Sequence, residues 1–133
     1  MIAFQGELGA YSEMAARAYF YEAVAVMPQP NFAALFTAVE NGACTHGMVP
    51  IENSLMGSIH ENYDHLLKRQ VQIVGEIKLR IKHNLIVNPG VRLEAIRYIY
   101  SQPPALAQCT QFIASLTAAE AVVAADKIGR AHV

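Results

Sequence analysis

The chain has 133 residues, 53% of them hydrophobic and 16% charged, and its formal net charge is −1. This size suits one domain, or two small lobes at most, with a hydrophobic core of its own. The near-neutral charge gives no basic field, so nucleic-acid binding is not expected, and no apolar run approaches the roughly 20 residues that span a bilayer. The first residues indicate a strand and not a secretion leader, so we expect a cytoplasmic protein without membrane partners.

The spacing of cysteine and histidine does not indicate a metal site. Cys44 and Cys109 lie among apolar or small residues, which favours buried thiols over a disulfide. The five histidines are scattered. His60 and His65 share a predicted helix, but two ligands on one helical face lie three or four residues apart, and this pair does not. We therefore expect no metal ion.

Strands and helices alternate through the first half of the chain. The predicted strands are residues 2–4, 24–27 and 47–49, and the predicted helices are residues 10–21, one beginning at 32 and one beginning at 58. Asn31 is a good N-cap, and Ser58 with Glu61 forms a capping box. Gly6 and Gly9 are too few glycines for a dinucleotide-binding fingerprint, so no nucleotide cofactor is expected. The alternating order predicts an α/β fold with a mainly parallel sheet.

The pattern changes to period two in residues 71–87, where apolar and polar side chains alternate. This alternation predicts a long, half-exposed strand, which would also suit a crossing between two lobes. Its basic residues would attract an acidic substrate, but a solvated strand face is the simpler interpretation. A strand at 98–101 follows, then a helix that begins at two prolines. Thr117 with Glu120 forms another capping box, which predicts a last helix reaching about residue 126.

Polar residues concentrate at three predicted strand-to-helix junctions. The junction at residues 49–58 holds Asn53, Ser54, Gly57 and Ser58. Free N–H groups at such a helix start commonly bind an anion, although an ordinary turn satisfied by Asn53 and Ser54 explains the same pattern. The other junctions follow the strand at 2–4 and the strand that ends at Ser101. Near the latter, Gln108 shares a helix face with Pro104, which suits a site residue and a surface residue equally.

Four blocks of the sequence resemble the catalytic domain of prephenate dehydratase. They are residues 3–6 with 9–13, 49–54 with 57–58, 75–77 with 83–85, and 100–101 with 103 and 105–109. The blocks occur in the order and spacing of that family, from residue 2 to about residue 126. The resemblance implies conversion of prephenate to phenylpyruvate, with loss of carbon dioxide and water and without metal or organic cofactor.

The same resemblance implies a fold of two α/β lobes, like type II periplasmic binding proteins, with prephenate in the cleft between them. It divides the chain into a first lobe at residues 1–78, a partial second lobe at 79–126 and a non-family tail at 127–133. The family residues that carry over as catalytic are Asn53, Ser101 and Gln108. The residues that would line the substrate site with them are Gln5, Tyr11, Ser54, Gly57, Ser58 and Ala105. Gln102 and Pro104 depart from the residues that the family often has there.

Some features of the family are not found in this sequence. It has no Thr-Arg-Phe motif, whose threonine is a candidate acid in the family, and no regulatory ACT domain. We therefore expect an incomplete second lobe, and a tail that is either translated adapter sequence or a real helix end. Two alternative functions remain, a non-catalytic module that binds a small anion and an inactive fragment. The family's tendency to associate is compatible with a homodimer, and arogenate remains an alternative substrate.

Overall fold

The computed structural model describes residues 1–54 and 57–124. The chain divides into two compact units, residues 1–81 and the part from residue 82 onward. The elements of the first unit are, in chain order, β1 (Ile2–Gln5), α1 (Tyr11–Tyr19), β2 (Val26–Gln29), α2 (Phe32–Glu40), β3 (His46–Met48), β4 (Glu52–Asn53), β5 (Gly57–Ser58) and α3 (His60–Lys68). The elements of the second unit are a 3-10 turn (Leu93–Ala95), β6 (Tyr98–Ser101), α4 (Pro103–Gln108), α5 (Thr110–Ser115) and β7 (Glu120–Val123).

A parallel sheet of order β2-β1-β3 forms the centre of the first unit. In its register Ile2 lies opposite Val26 on one side and His46 on the other. The middle strand is the most buried, because Ala3 and Phe4 expose 0% of their surface. The sheet confirms the predicted α/β fold with mainly parallel strands, and it brings the carboxyl ends of all three strands to one edge.

Helix α2 closes one face of this sheet. Its predicted N-cap is confirmed, since Asn31 Oδ1 accepts a hydrogen bond from the Ala34 N–H at 2.8 Å. Leu35 is fully buried, and it approaches the sheet so closely that a Cβ added at Gly47 would lie 2.8 Å from its Cδ2. Cys44 is buried in the same cluster as a free thiol, as predicted.

The predicted strand at residues 71–87 is wrong, because this segment has no regular secondary structure. A period-two pattern forms a strand only where another strand pairs with it. Within the first unit, the neighbour of this segment is a helix: a Cβ added at Gly75 would lie 1.9 Å from the hydroxyl oxygen of Tyr19 in α1. The apolar side chains of this irregular segment are buried only in part, since Ile77 and Leu79 are half-buried but Ile81 is exposed.

Two helix starts predicted from capping boxes are also wrong. Residues 57–58 pair with β4 as a short antiparallel strand, and α3 begins at His60, with Ile59 as an N-cap that makes no side-chain bond. In the second unit, Glu120–Val123 is a strand that pairs in parallel with β6. Pairing with β6 outweighs the helix preference of an alanine-rich stretch there. Residues 117–119 form a turn and not a helix, and residues 125–126 of that predicted helix, with the tail at 127–133, lie outside the described residues.

The second unit is organised around the β6–β7 pair, in which Tyr98 lies opposite Glu120 and Ser101 opposite Val123. Ile96 and Ile99 are its buried apolar residues. The helix after β6 was predicted as one element, but it divides at Cys109 into α4 and α5. Cys109 is half-buried and its thiol is free. In the described part of the chain, no helix is long and apolar enough to cross a membrane.

Candidate functional site

Gln5 is the last residue of β1, and it is half-buried at the edge where the parallel strands end. The chain turns sharply after it, because Gly6 has a φ of +116°, which favours glycine. The Gly6 N–H donates to the Gln29 carbonyl at 3.0 Å, which ties the turn to the neighbouring strand. Tyr11 is half-buried and begins α1 on the far side of this turn. The first junction therefore holds both predicted residues, Gln5 and Tyr11, on a fixed backbone.

Glu13 fixes that backbone, although no role was predicted for it from the sequence. Its side chain is 10% exposed and accepts two bonds from Arg17, at 2.7 and 2.9 Å, and one from the Gly9 N–H at 2.6 Å. The Gly9 N–H, and then the Arg17 guanidinium, hold the pKa of this carboxyl below its ordinary value. The carboxylate thus joins the first turn of α1 to the loop that follows β1.

Asn53 lies at the end of β4, in a short hairpin and not at a helix start. It faces Gly57 across the antiparallel pair, and Gly57 has a positive φ of +78°, a backbone conformation that favours glycine. Asn53 is half-buried, whereas Ser54, Gly57 and Ser58 are exposed. The N–H groups of Ser54, Gly57 and Ser58 therefore do not form the predicted helix terminus, because Gly57 and Ser58 belong to β5 and α3 begins at His60.

Ser101 ends β6 in the second unit, at the same kind of position that Gln5 has in the first. Its carbonyl accepts a hydrogen bond from the Ala124 N–H at 3.0 Å, and its residue surface is half-buried. Helix α4 follows, and Pro103 and Pro104 carry no N–H groups. Ala105 consequently provides the first backbone N–H of this helix. The next N–H, that of Leu106, bonds to the Gln102 carbonyl at 3.1 Å.

Gln108 ends α4, and its side-chain oxygen lies 2.7 Å from His83 Nε2. The contact is a hydrogen bond in which a protonated Nε2 donates to Oε1, since the amide oxygen accepts only. This bond fixes which way the amide points and leaves the Gln108 NH2 group as the donor on the other side. The spacing of His83 from Gln108, 25 residues, gave no local signal from which the pair could be predicted.

The predicted residues thus divide between the two units. The first unit holds Gln5, Tyr11, Asn53, Ser54, Gly57 and Ser58, and the second holds Ser101, Ala105 and Gln108. Gln5, Asn53 and Ser101 end strands, whereas Tyr11 begins α1 and Gln108 ends α4. The side chains of these five residues are amides and hydroxyls with no formal charge. Residues 1–54 and 57–124 contain no group of three metal-binding side chains.

Two grooves among the described residues are lined by other side chains. One groove in the first unit is lined by Met14, Arg17, Ala18, Glu22 and Leu79, and one in the second is lined by residues 93, 94, 96 and 115–118. Both are shallow and partly apolar. We assign the candidate site by the polar groups at the strand ends, because those groups have hydrogen bonds to offer a small polar ligand.

The fold and these strand-end residues define an α/β protein with mainly parallel sheets and an uncharged polar site. The family model for prephenate dehydratase matches residues 2–132, and the chain therefore belongs to the prephenate dehydratase family. This match confirms the resemblance found in the four sequence blocks.

Relatives with known names support the same assignment. The chain is 47% identical over 115 residues to arogenate dehydratase/prephenate dehydratase 2, chloroplastic, of Arabidopsis thaliana, which covers 86% of this chain and 30% of that protein. Arogenate dehydratase 2 of Petunia hybrida is also 47% identical, with 86% and 29% covered. The chain spans about a third of the length of these curated relatives.

Two solved structures share the fold. The prephenate dehydratase of Staphylococcus aureus is 31% identical, with a TM-score of 0.81 over 95% of this chain and 48% of that one. GqqA, described as a novel type of quorum quenching acylase, is 36% identical, with a TM-score of 0.79 over 94% of this chain and 45% of that one. The chain thus corresponds to about half of each solved chain.

Proposed function

We propose that this chain carries out the decarboxylating dehydration of prephenate to phenylpyruvate. The observation that carries the proposal is the family match over residues 2–132, which includes Asn53, Ser101 and Gln108. The proposal is also supported by local geometry, because Asn53 ends β4, Ser101 ends β6 and Gln108 ends α4. Enzymes of this kind work largely by orienting a substrate that is ready to react.

The chemistry suits an uncharged site. Prephenate is a dianion whose ring becomes aromatic when one carboxylate leaves as carbon dioxide and the ring hydroxyl leaves as water. The electron pair of the breaking carbon–carboxylate bond enters the ring as the carbon–oxygen bond breaks, and the departing hydroxide takes one proton. The protein therefore has to hold two carboxylates and to assist proton transfer to the departing oxygen.

The three residues divide this work according to the groups they offer. Gln108 donates from its NH2 group to a carboxylate, since His83 occupies its amide oxygen. Ser101 offers a hydroxyl that donates a hydrogen bond to the departing ring oxygen. Asn53 holds the other carboxylate through its amide, and the N–H of Ala105 is a further donor beside Ser101.

The remaining predicted residues of the first unit belong to two local elements. Gln5 and Tyr11 belong to the first junction, whose backbone Glu13 fixes. Ser54, Gly57 and Ser58 belong to the hairpin that carries Asn53. We assign these five to substrate binding and not to proton transfer.

A non-catalytic module that binds a small anion is the second reading. The names of the curated relatives do not favour it, because they are dehydratases of arogenate or prephenate. Those names leave the choice between prephenate and arogenate open for this chain. The division at residues 78/79, the homodimer and the cytoplasmic location remain predictions, and the Arabidopsis thaliana relative is named chloroplastic.

The test is to incubate the purified, folded chain with prephenate and, separately, with arogenate. Formation of phenylpyruvate from prephenate supports the proposal, and phenylalanine formed from arogenate alone would change the substrate. Calorimetric titration of prephenate in parallel separates the alternatives. Binding without product would favour the anion-binding module, and neither binding nor product would reject both.

A further inference from the structure

Asn62 is a fully buried amide in the first turn of α3, and the proposed function does not use it. Its exposed fraction is 0%, and its Nδ2 donates a hydrogen bond to the Pro50 carbonyl at 2.8 Å. Burying an amide costs folding free energy unless the amide is hydrogen-bonded, and the bond to Pro50 offsets part of that cost. The bond connects α3 to the segment that leads into β4.

The segment of residues 49–51 packs against the core through Val49, and its backbone carbonyls accept hydrogen bonds from the region of α3. Residues 49–51 belong to no strand, and Pro50 has no N–H, so its carbonyl is its one backbone hydrogen-bonding group. The next carbonyl, of Ile51, accepts from the Ile59 N–H at 2.8 Å. Two successive carbonyls just before β4 are therefore held from the start of α3. Asn53 follows within two residues of the second of them.

The amide oxygen of Asn62 indicates that this residue does more than stabilise the fold. Its Oδ1 is buried and accepts no hydrogen bond from the described residues. An unpaired buried acceptor is destabilising. A leucine with the same number of side-chain heavy atoms would remove the unpaired Oδ1 but leave the Pro50 carbonyl without its donor, so the two effects offset and the net change in stability is small. The amide is better explained by the backbone that its NH2 group holds.

We infer that Asn62 is a positioning residue, which fixes the backbone carrying Asn53 by holding the Pro50 carbonyl. The inference rests on the proposed role of Asn53 in binding the substrate. Asn62 itself touches no substrate, because it lies inside the unit beneath the segment. Loss of its NH2 group releases that segment and moves the Asn53 amide relative to the ligand.

The test compares Asn62→Leu and Asn62→Ala with the wild-type chain. Leucine keeps the branching and the number of heavy atoms but is larger, and alanine leaves room, so the two variants place opposite demands on folding. Asn41→Leu is the matched control, because Asn41 is an exposed amide whose Oδ1 accepts from the Ala43 N–H at 3.0 Å. For each chain the measurements are the thermal midpoint, hydrogen exchange of the Ile59 amide, and kcat and KM for prephenate.

We expect Asn62→Leu to shift the midpoint by less than about 5 °C and to speed exchange at Ile59 by about fivefold, the equivalent of one hydrogen bond. We expect Asn62→Leu to lower kcat by up to about 100-fold with a smaller change in KM. Asn41→Leu should leave both kcat and KM unchanged. Unchanged exchange at Ile59, or kcat equal to that of the wild type, overturns the inference. If the folded wild-type chain forms no product, the proposed function fails by itself, and the exchange comparison still decides the inference.

Discussion

Replacing Glu13 with glutamine tests the bonds that hold the first junction together. The Glu13 carboxylate accepts from the Gly9 N–H at 2.6 Å and from Arg17 at 2.7 and 2.9 Å, with its side chain 10% exposed. A glutamine keeps one accepting oxygen but turns an NH2 group toward the remaining donor. One charge-assisted bond is therefore lost, which costs about 2 kcal/mol of folding free energy. With an ordinary dependence on denaturant, that loss lowers the urea midpoint by about 1 M.

The effect of Glu13→Gln should depend on pH with a definite sign. The folded-state pKa of Glu13 is lowered, first by the Gly9 N–H and then by Arg17. The stability that the Glu13 carboxylate contributes is therefore fully present above the ordinary carboxyl pKa of about 4.3. It is lost as the pH falls through the lower pKa of the folded state. Urea midpoints measured from pH 7 down to pH 3 should show the wild-type and variant chains converging below about pH 4.

Glu40→Gln is a matched control for this measurement. Glu40 also accepts from an arginine, Arg69 at 2.7 Å, and from a backbone N–H, that of Gln70 at 3.0 Å. Its side chain is 29% exposed, so water replaces a lost bond more readily, and we expect a smaller shift. The reasoning is refuted if Glu13→Gln has the wild-type midpoint at pH 7, or if its deficit stays constant as the pH falls.

Three further substitutions test the packing and the site. Asn31→Ala removes the side-chain cap of α2 and should cost about 1 kcal/mol in a thermal melt, and an unchanged midpoint would contradict that cap. Gly47→Ala places a methyl group 2.8 Å from Leu35 Cδ2, so we expect a loss of about 1–3 kcal/mol, and equal or greater stability would show that the helix has room to move. His83→Phe frees the Gln108 amide and should lower kcat/KM for prephenate by about tenfold with little change in stability, whereas unaltered kinetics would mean that Gln108 needs no partner.

The parallel sheet and its helices were predictable because their signals are local. Apolar strands between helical patterns predicted β1, β2 and β3, and Asn31 carried its cap signal within three residues. The strand ends then indicated where polar residues would gather, since parallel strands share one edge. That rule selected Gln5 and Ser101, which end β1 and β6, whereas Asn53 ends β4 of an antiparallel hairpin.

The errors arose where a distant contact overrides a local pattern. Residues 57–58 carry a capping box, yet they pair with β4. The alanine-rich stretch after Thr117 favours a helix, yet it pairs with β6. Neither pairing can be seen in the sequence, because the energy of a strand comes from its neighbour.

The residues that support the site were missed for a related reason. Glu13, Asn62 and His83 act through contacts to Gly9, Pro50 and Gln108. Of these contacts, the one from Glu13 spans four residues, which is the distance of a helix turn, so an acidic residue after a glycine-bearing turn was a usable signal. The other two span 12 and 25 residues and had none.

The most direct test of the account is kcat/KM for phenylpyruvate formation from prephenate by Asn53→Ala beside Asn41→Ala. Both variants remove one amide from the first unit, but only Asn53 ends β4 in the proposed site. The account predicts product from the wild-type chain and from Asn41→Ala, with a loss of at least about 100-fold in Asn53→Ala. Equal kcat/KM in the two variants, both folded, would contradict it.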